Sequence, residues 1–146
     1  MLFNISASCF INKFLTQLRA SCIKYFSCQC LVSCCGCCGE WVKHIEKAGF
    51  TTKVVAMEDL TQVKRDAGVP ADLESCHTAL IGKYVVEGHV PADLIKKTLD
   101  EKATFTGLAV GGMVVGSPGM EQGSMKQPYN VTAFTRGGKS TVYARR

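Results

Sequence analysis

The chain has 146 residues, of which 47% are hydrophobic and 20% charged, and its net charge is +5. This composition is that of a folded globular domain with a buried core, and it excludes an intrinsically disordered chain. Lysine and arginine do not form a run interleaved with aromatic residues, so we do not expect nucleic-acid binding.

Residues 1–27 are predicted to form a separate N-terminal segment, either disordered or an amphipathic helix. Phe10, Phe14 and Leu18 have the spacing of one helix face. Polar and charged residues interrupt the apolar ones, so we expect neither a transmembrane span nor the apolar segment of a secretion signal here.

Residues 28–146 are predicted to form one α/β domain. Its elements follow the order strand, helix, strand, helix, strand, strand, helix. Their predicted bounds, in that order, are 28–33, 37–48, 51–57, 58–67, 77–81, 83–87 and 91–102. This is the thioredoxin-like order (β-α-β-α-β-β-α), in which the first strand–helix–strand crossover is right-handed.

The end of the domain is predicted to be a loop followed by a hairpin. Residues 104–128 are rich in glycine, methionine and proline, and residues 129–146 contain two β-branched stretches around Gly137 and Gly138. The first region is interpreted as a Gly/Met-rich loop and the second as a C-terminal β-hairpin. Long glycine loops within compact domains are usually functional or mobile.

The nine cysteines are crowded: eight precede residue 39, and the ninth is Cys76. Disulfides that stabilise a small fold are spread along the chain so that each closes a long loop, and an odd number leaves one thiol over. The crowding therefore indicates metal binding or thiol redox chemistry.

Cys35, Cys37 and Cys38 lie at the predicted start of the first helix. The helix dipole and the unpaired amides there lower the pKa of a thiol, and thiolates are the ligands of soft metals. Adjacent helical residues diverge by about 100°, which disfavours a single tetrahedral zinc ion. The arrangement favours low-coordinate Cu(I), or several Cu(I) ions bridged by shared sulfurs.

The alternative is thiol–disulfide exchange, because Cys35 and Cys38 form a C-x-x-C motif. Cys35 would be the attacking thiolate and Cys38 the resolving one. Such an oxidoreductase needs neither Cys37 nor Cys76, whereas a metal site uses all four cysteines. The pattern therefore favours a metal-binding protein over an enzyme.

Ordered motifs over residues 35–146 carry a resemblance to a known family. They are CGCC at 35–38 with Trp41-Val42, GVP at 68–70, SCHTA at 75–79, VEGHVP at 86–91, GLAV at 107–110, and GSPGMEQG at 116–123 with Met113. On these motifs the chain resembles the CopG-like family of small bacterial copper-associated proteins, long filed as a domain of unknown function. The resemblance implies a thioredoxin-like fold, a metal-binding role in copper handling, and a periplasmic location. The alternative location is the cytoplasm.

A further resemblance predicts the fourth ligand. Residues 76–88 are similar to the glutaredoxin stretch that leads into the third strand and packs beside the cysteine motif. This implies that Cys76 faces the motif. The further possible ligands are His77, Met120, Met113 and Cys34. His89 is expected to order the turn before Pro91, with a role in the site as the less favoured alternative, and His44 is expected to lie at the surface.

We therefore predict a protein that holds Cu(I) at Cys35, Cys37, Cys38 and Cys76 in copper resistance or transfer. Zinc is the less favoured ion. The predicted partners are copper ions and other copper-handling proteins.

Overall fold

The structure, a computed structural model, describes residues 27–32 and 36–146. The predicted N-terminal segment before residue 27 lies outside these residues. So do two of the predicted ligands, Cys34 and Cys35.

The described helices and strands follow the predicted order. They are β1 (Ser27–Val32), α1 (Gly36–Lys47), β2 (Thr51–Ala56), α2 (Thr61–Ala67), a 3₁₀ turn (Ala71–Leu73), β3 (His77–Ile81), β4 (Tyr84–Glu87), α3 (Ala92–Asp100), β5 (Gly107–Ala109), β6 (Asn130–Phe134) and β7 (Ser140–Arg145). Gly49 ends α1 with a φ of 94°, as its position in the sequence predicts.

Within the described residues, the strands form one sheet in the order β2-β1-β3-β4-β5-β6-β7. The β1–β2 and β4–β5 pairs are parallel, and the other neighbouring strands are antiparallel. The predicted mixed α/β class is confirmed, and so are the β3–β4 hairpin around Gly82 and the C-terminal hairpin of β6 and β7.

Two differences from the prediction, a later helix start and an additional strand, have identifiable physical reasons. Helix α2 begins at Thr61, after the predicted start, because Asp59 precedes the helix and accepts a 2.8 Å hydrogen bond from the Thr61 amide. Strand β5 lies inside the predicted loop. Its Gly107 has no space for a side chain, since a Cβ there would lie 2.2 Å from the Val85 carbonyl oxygen. Gly107 thus permits a close strand contact.

The main core lies between the sheet and the helices α1 and α3. Trp41 and Ile45 on α1 are fully buried, and the Trp41 indole donates a 2.9 Å hydrogen bond to the Val90 carbonyl oxygen. Cys28 and Cys30 of β1 belong to the same core, with their sulfurs 2.9 Å apart. The hydrogen bond to Cys30 and burial raise the pKa of the Cys28 thiol, so this thiol is a neutral core group.

His44 connects α1 to the start of α3 through a hydrogen bond. Its Nε2 accepts a 3.1 Å hydrogen bond from the Ala92 amide, which requires a neutral imidazole. Burial lowers the pKa of His44 below its ordinary value, although the charges of Glu121 and Asp93 oppose the shift.

We therefore expect part of the folding stability to be lost as the pH falls below about 6.5, the ordinary histidine pKa. The unfolded chain binds this proton more readily than the folded one, so acid favours unfolding. In His44→Gln, whose amide oxygen can accept the same hydrogen bond without titrating, the loss between about pH 7.5 and about pH 5.5 should be smaller. Urea unfolding of both proteins at the two pH values measures it, and equal losses would contradict this role of His44.

Candidate metal centre

Three cysteines meet where the first turn of α1 approaches the start of β3. Cys37 and Cys38 lie in that turn, and Cys76 directly precedes β3. The sulfurs of Cys37 and Cys76 are 3.9 Å apart, and the Cys38 thiol donates a 3.8 Å hydrogen bond to the Cys76 carbonyl oxygen. All three sulfurs lie within 4.8 Å of one another, so Cys76 does face the cysteine motif.

The chemical states of these cysteines differ. Cys38 is a thiol and is only 1% exposed. Cys37 is half-buried and disulfide-bonded, so its sulfur must be reduced before it can bind a metal ion.

A second group of donors also contains Cys76. Its sulfur lies 3.0 Å from His89 Nε2 and 3.4 Å from His77 Nδ1. The three donor atoms lie within 4.8 Å of one another, and both imidazoles are fully buried. Sulfur and imidazole nitrogen are ligands of Cu(I) and of zinc. Cys76 thus belongs to two possible metal-binding groups at once.

The hairpin of β3 and β4 positions His89. Its register pairs Thr78 with Glu87, and the Gly88 amide continues the ladder with a 2.9 Å hydrogen bond to the His77 carbonyl oxygen. One step further along, His89 lies opposite Cys76. The other ring nitrogen of His89, Nδ1, is 2.7 Å from the Pro118 carbonyl oxygen, a contact that orients the ring as the outer partners of metal-bound histidines do.

The favoured expectation, that His89 orders the turn, is therefore incomplete, and the less favoured one, a place in the site, fits its position beside Cys76. The sequence does contain a signal for its position. With a hairpin centred between Gly82 and Lys83, residues whose numbers add to 165 are opposite each other, as Ile81 and Tyr84 are. Cys76 and His89 satisfy this sum.

Contacts within the site shift the pKa values of Cys38 and Cys76 in opposite directions. The contact with Cys76 and burial raise the pKa of Cys38, in spite of its place at a helix N-terminus. Hydrogen bonds from Cys38, His77 and His89 lower the pKa of Cys76, against the effect of burial. The sequence predicts a low thiol pKa at the start of the helix. The thiolate form is instead favoured at Cys76 and disfavoured at Cys38.

The pKa values of the two histidines shift in opposite directions. Burial lowers the pKa of His77, whose ring packs 4.4 Å from the Trp41 ring. Its Nε2 is buried and has no hydrogen-bond partner among the described residues. Burial also opposes protonation of His89, but the hydrogen bonds to Cys76 and Pro118 outweigh it and raise the pKa of His89.

A segment of the predicted loop packs against the part of α1 that carries Cys37. Gly119 has a φ of 85°, and a Cβ there would lie 2.6 Å from the Trp41 amide nitrogen and 2.9 Å from the Cys37 carbonyl oxygen. Met120 follows Gly119 and is half-buried, whereas Met113 is 62% exposed. Metal ligation by either methionine stays a prediction.

Comparisons with known proteins identify a family model that matches this chain. Residues 73–120 match the model of a family described as a protein of unknown function, DUF411. A search of curated proteins found no match. In the described part of the chain, every helix is too short or too polar to cross a membrane.

Two solved structures are similar over nearly their whole length. They are forms 1 and 2 of the copper resistance protein CopG, each 43% identical with a TM-score of 0.80. The similarity covers 84% of this chain and 98% and 99% of theirs. At this identity and coverage, the resemblance predicted from the motifs is confirmed, and the chain belongs to the CopG family of copper resistance proteins.

Proposed function

We propose that this protein binds Cu(I) through Cys37, Cys38 and Cys76, with Cys35 as a fourth thiolate, and acts in copper resistance or transfer. The observation that carries the proposal is the membership of Cys76 in two groups of metal donors. The similarity to a copper resistance protein supports copper as the metal.

The shared sulfur favours more than one ion. Two sulfurs bound to one ion at about 2.3 Å each lie about 3.8 to 4.6 Å apart, and those of Cys37 and Cys76 are 3.9 Å apart. Cys76 would then be shared between an ion held with Cys37 and Cys38 and another held with His77 and His89. Such ions would form a multi-copper thiolate cluster with imidazole ligands. Zinc remains the less favoured ion because a bridged, low-coordinate arrangement suits Cu(I) better.

The sheet topology supports the position proposed for the cysteine site. The strand order β2-β1-β3-β4, with β1 parallel to β2 and β3 antiparallel to both of its neighbours, is the arrangement expected of a thioredoxin-like domain. In such a domain the cysteine motif begins the first helix, as Cys37 and Cys38 do in α1.

Thiol–disulfide exchange through Cys35 and Cys38 is the alternative, although the disulfide-bonded Cys37 lies outside that pair. The predicted resolving thiol is poorly suited to it. Cys38 is almost fully buried, and its contact with Cys76 raises its pKa, so the reactive thiolate is scarce at neutral pH.

The proposal includes transfer to another copper-handling protein, with the periplasm as the location. Gly36 and Gly39 flank the half-buried Cys37, and both are exposed with open space at the Cβ position. A partner thiol could approach Cys37 from this side. Met113 and Met120 would be additional thioether ligands.

The test is an anaerobic Cu(I) titration of the reduced full-length protein against a competing chelator. We expect tight uptake of more than one ion per chain. Uptake no greater than the chelator background, together with disulfide reduction that depends on Cys35 and Cys38, would refute metal binding and establish the oxidoreductase.

Ligation by His89 is tested with a matched histidine variant. We expect His89→Ala to weaken Cu(I) binding about 10-fold or more, the effect of losing a ligand or a group that orients one. His44→Ala, which removes a histidine outside both donor groups, should bind Cu(I) as the wild type does. Equal affinities of the two variants would remove His89 from the site.

A further inference from the structure

A buried ion pair lies two residue positions along the hairpin from Cys76 and His89. Lys64 of α2 is 6% exposed and Glu87 of β4 is fully buried. Lys64 Nζ donates to Glu87 Oε1 and, at 3.0 Å, to Thr78 Oγ1. Thr78 donates to Glu87 Oε2 at 2.7 Å.

Folding stability alone does not account for this pair. Removing two charges from water costs free energy, and well-packed apolar residues in place of a buried ion pair are often equally or more stabilising. Glu87 is nevertheless fully buried and Lys64 almost so, and another role is needed to explain why two charges are held out of water here.

The hydrogen bonds of Glu87 indicate that role. Its Oε1 also accepts a 2.7 Å hydrogen bond from the amide of Ser75, the residue before Cys76. Glu87 itself stands two residues before His89. A single carboxylate therefore joins the two chain segments that carry the Cys76 sulfur and the His89 imidazole.

The packing around Gly88 leaves little freedom between these segments. A Cβ on Gly88 would lie 2.5 Å from Ser75 Oγ and 2.5 Å from the Val110 carbonyl oxygen. The described residues leave no gap there that could accommodate a small shift of the Ser75 amide, so such a shift would move Cys76 as well.

We propose that the Lys64–Glu87 pair is a positioning device for the metal centre. Glu87 fixes the Ser75–Cys76 peptide against the His89 segment, and Lys64 holds the carboxylate in place. The role in copper binding rests on the function proposed above. The role in holding Cys76 against His89 does not.

The test compares three variants that separate stability from positioning. Lys64→Met/Glu87→Leu removes both charges and the acceptor for the Ser75 amide. Lys64→Met/Glu87→Gln removes both charges but keeps an oxygen for that amide. Ile95→Val removes a methyl group from the buried core on α3, outside the hydrogen bonds of Glu87, so it is the control for lost stability.

We expect Cu(I) affinity and folding stability to change independently of each other across these variants. Lys64→Met/Glu87→Leu should unfold at a urea concentration at or above that of the wild type, yet bind Cu(I) about 10- to 100-fold more weakly, the usual effect of losing an outer partner of a ligand. Lys64→Met/Glu87→Gln should recover the affinity. Ile95→Val should unfold at lower urea and bind Cu(I) normally. Affinities that follow the unfolding midpoints across all three variants would overturn the proposal.

A metal-free measurement keeps the proposal separate from copper binding. In protein with ¹⁵N-labelled histidine, the His89 Nε2 signal reports its contact with the Cys76 sulfur. We expect this signal to move towards that of free imidazole only in Lys64→Met/Glu87→Leu. An unchanged signal there would refute positioning even if the wild type binds Cu(I). A changed signal in a protein that binds no Cu(I) would uphold positioning and refute the proposed function.

Discussion

Replacing Cys76 with serine is expected to remove most of the Cu(I) affinity of the reduced protein. Cys76 is the residue common to both donor groups, and a serine hydroxyl is a hard, neutral oxygen that soft Cu(I) does not prefer. Thiolate sites of four ligands bind zinc with about 10–16 kcal/mol, or roughly 3 kcal/mol per ligand. The loss of one bridging thiolate should thus weaken binding on the order of 100-fold.

The control for this change is a cysteine outside the site. Cys28 is fully buried in the core, so Cys28→Ala removes one sulfur from the chain and costs stability without touching the donors. Competition titrations should show weak Cu(I) binding by Cys76→Ser and wild-type affinity for Cys28→Ala. If both variants keep the wild-type affinity, Cys76 is not a ligand. An unchanged Cys76→Ser that also retains disulfide-reducing activity would favour the oxidoreductase.

Gly88→Ala is expected to damage both the fold and the metal centre. Gly88 has a φ of 68°, and an added Cβ would lie 2.5 Å from the Val110 carbonyl oxygen. The left-handed conformation costs a non-glycine residue about 1–2 kcal/mol, and forced displacement of packed atoms adds about 1–3 kcal/mol. We expect a loss of about 3 kcal/mol or more in the free energy of unfolding, measured by urea titration, and weaker Cu(I) binding.

The same hairpin supplies a matched control. Gly82 has a φ of 60°, and a Cβ there would have no neighbour within 4 Å. Gly82→Ala should therefore show only the conformational cost of about 1–2 kcal/mol and should leave Cu(I) affinity unchanged. Similar losses of stability and affinity in the two variants would mean that the close packing around Gly88 does not position His89.

The order of elements was predictable because each left a local pattern. The hairpin of β3 and β4 shows two apolar stretches around Gly82, and α1 combines the Trp41 and Ile45 spacing with a terminal Gly49. Strand β5 was missed because Gly107 has the local appearance of a loop residue. The contact that requires a glycine there is with Val85, which is distant in sequence.

The candidate site was predictable only in part, for a similar reason. The cysteine motif is visible in the sequence, and a resemblance indicated Cys76. The closeness of His89 to Cys76 depends on strand register, which a hydrophobic pattern defines poorly unless the turn is known. The pKa values of Cys38 and Cys76 depend on contacts between segments almost 40 residues apart, and no local rule contains them.

The fluorescence of Trp41 can report on the candidate site. It is the single tryptophan of the whole chain, it is fully buried, and its ring lies 4.4 Å from the imidazole of His77. An indole excited state is sensitive to a neighbouring protonated or metal-bound imidazole at such a distance. Its emission therefore arises from one place, beside His77, so binding of metal at the proposed site should change the fluorescence of the unlabelled protein.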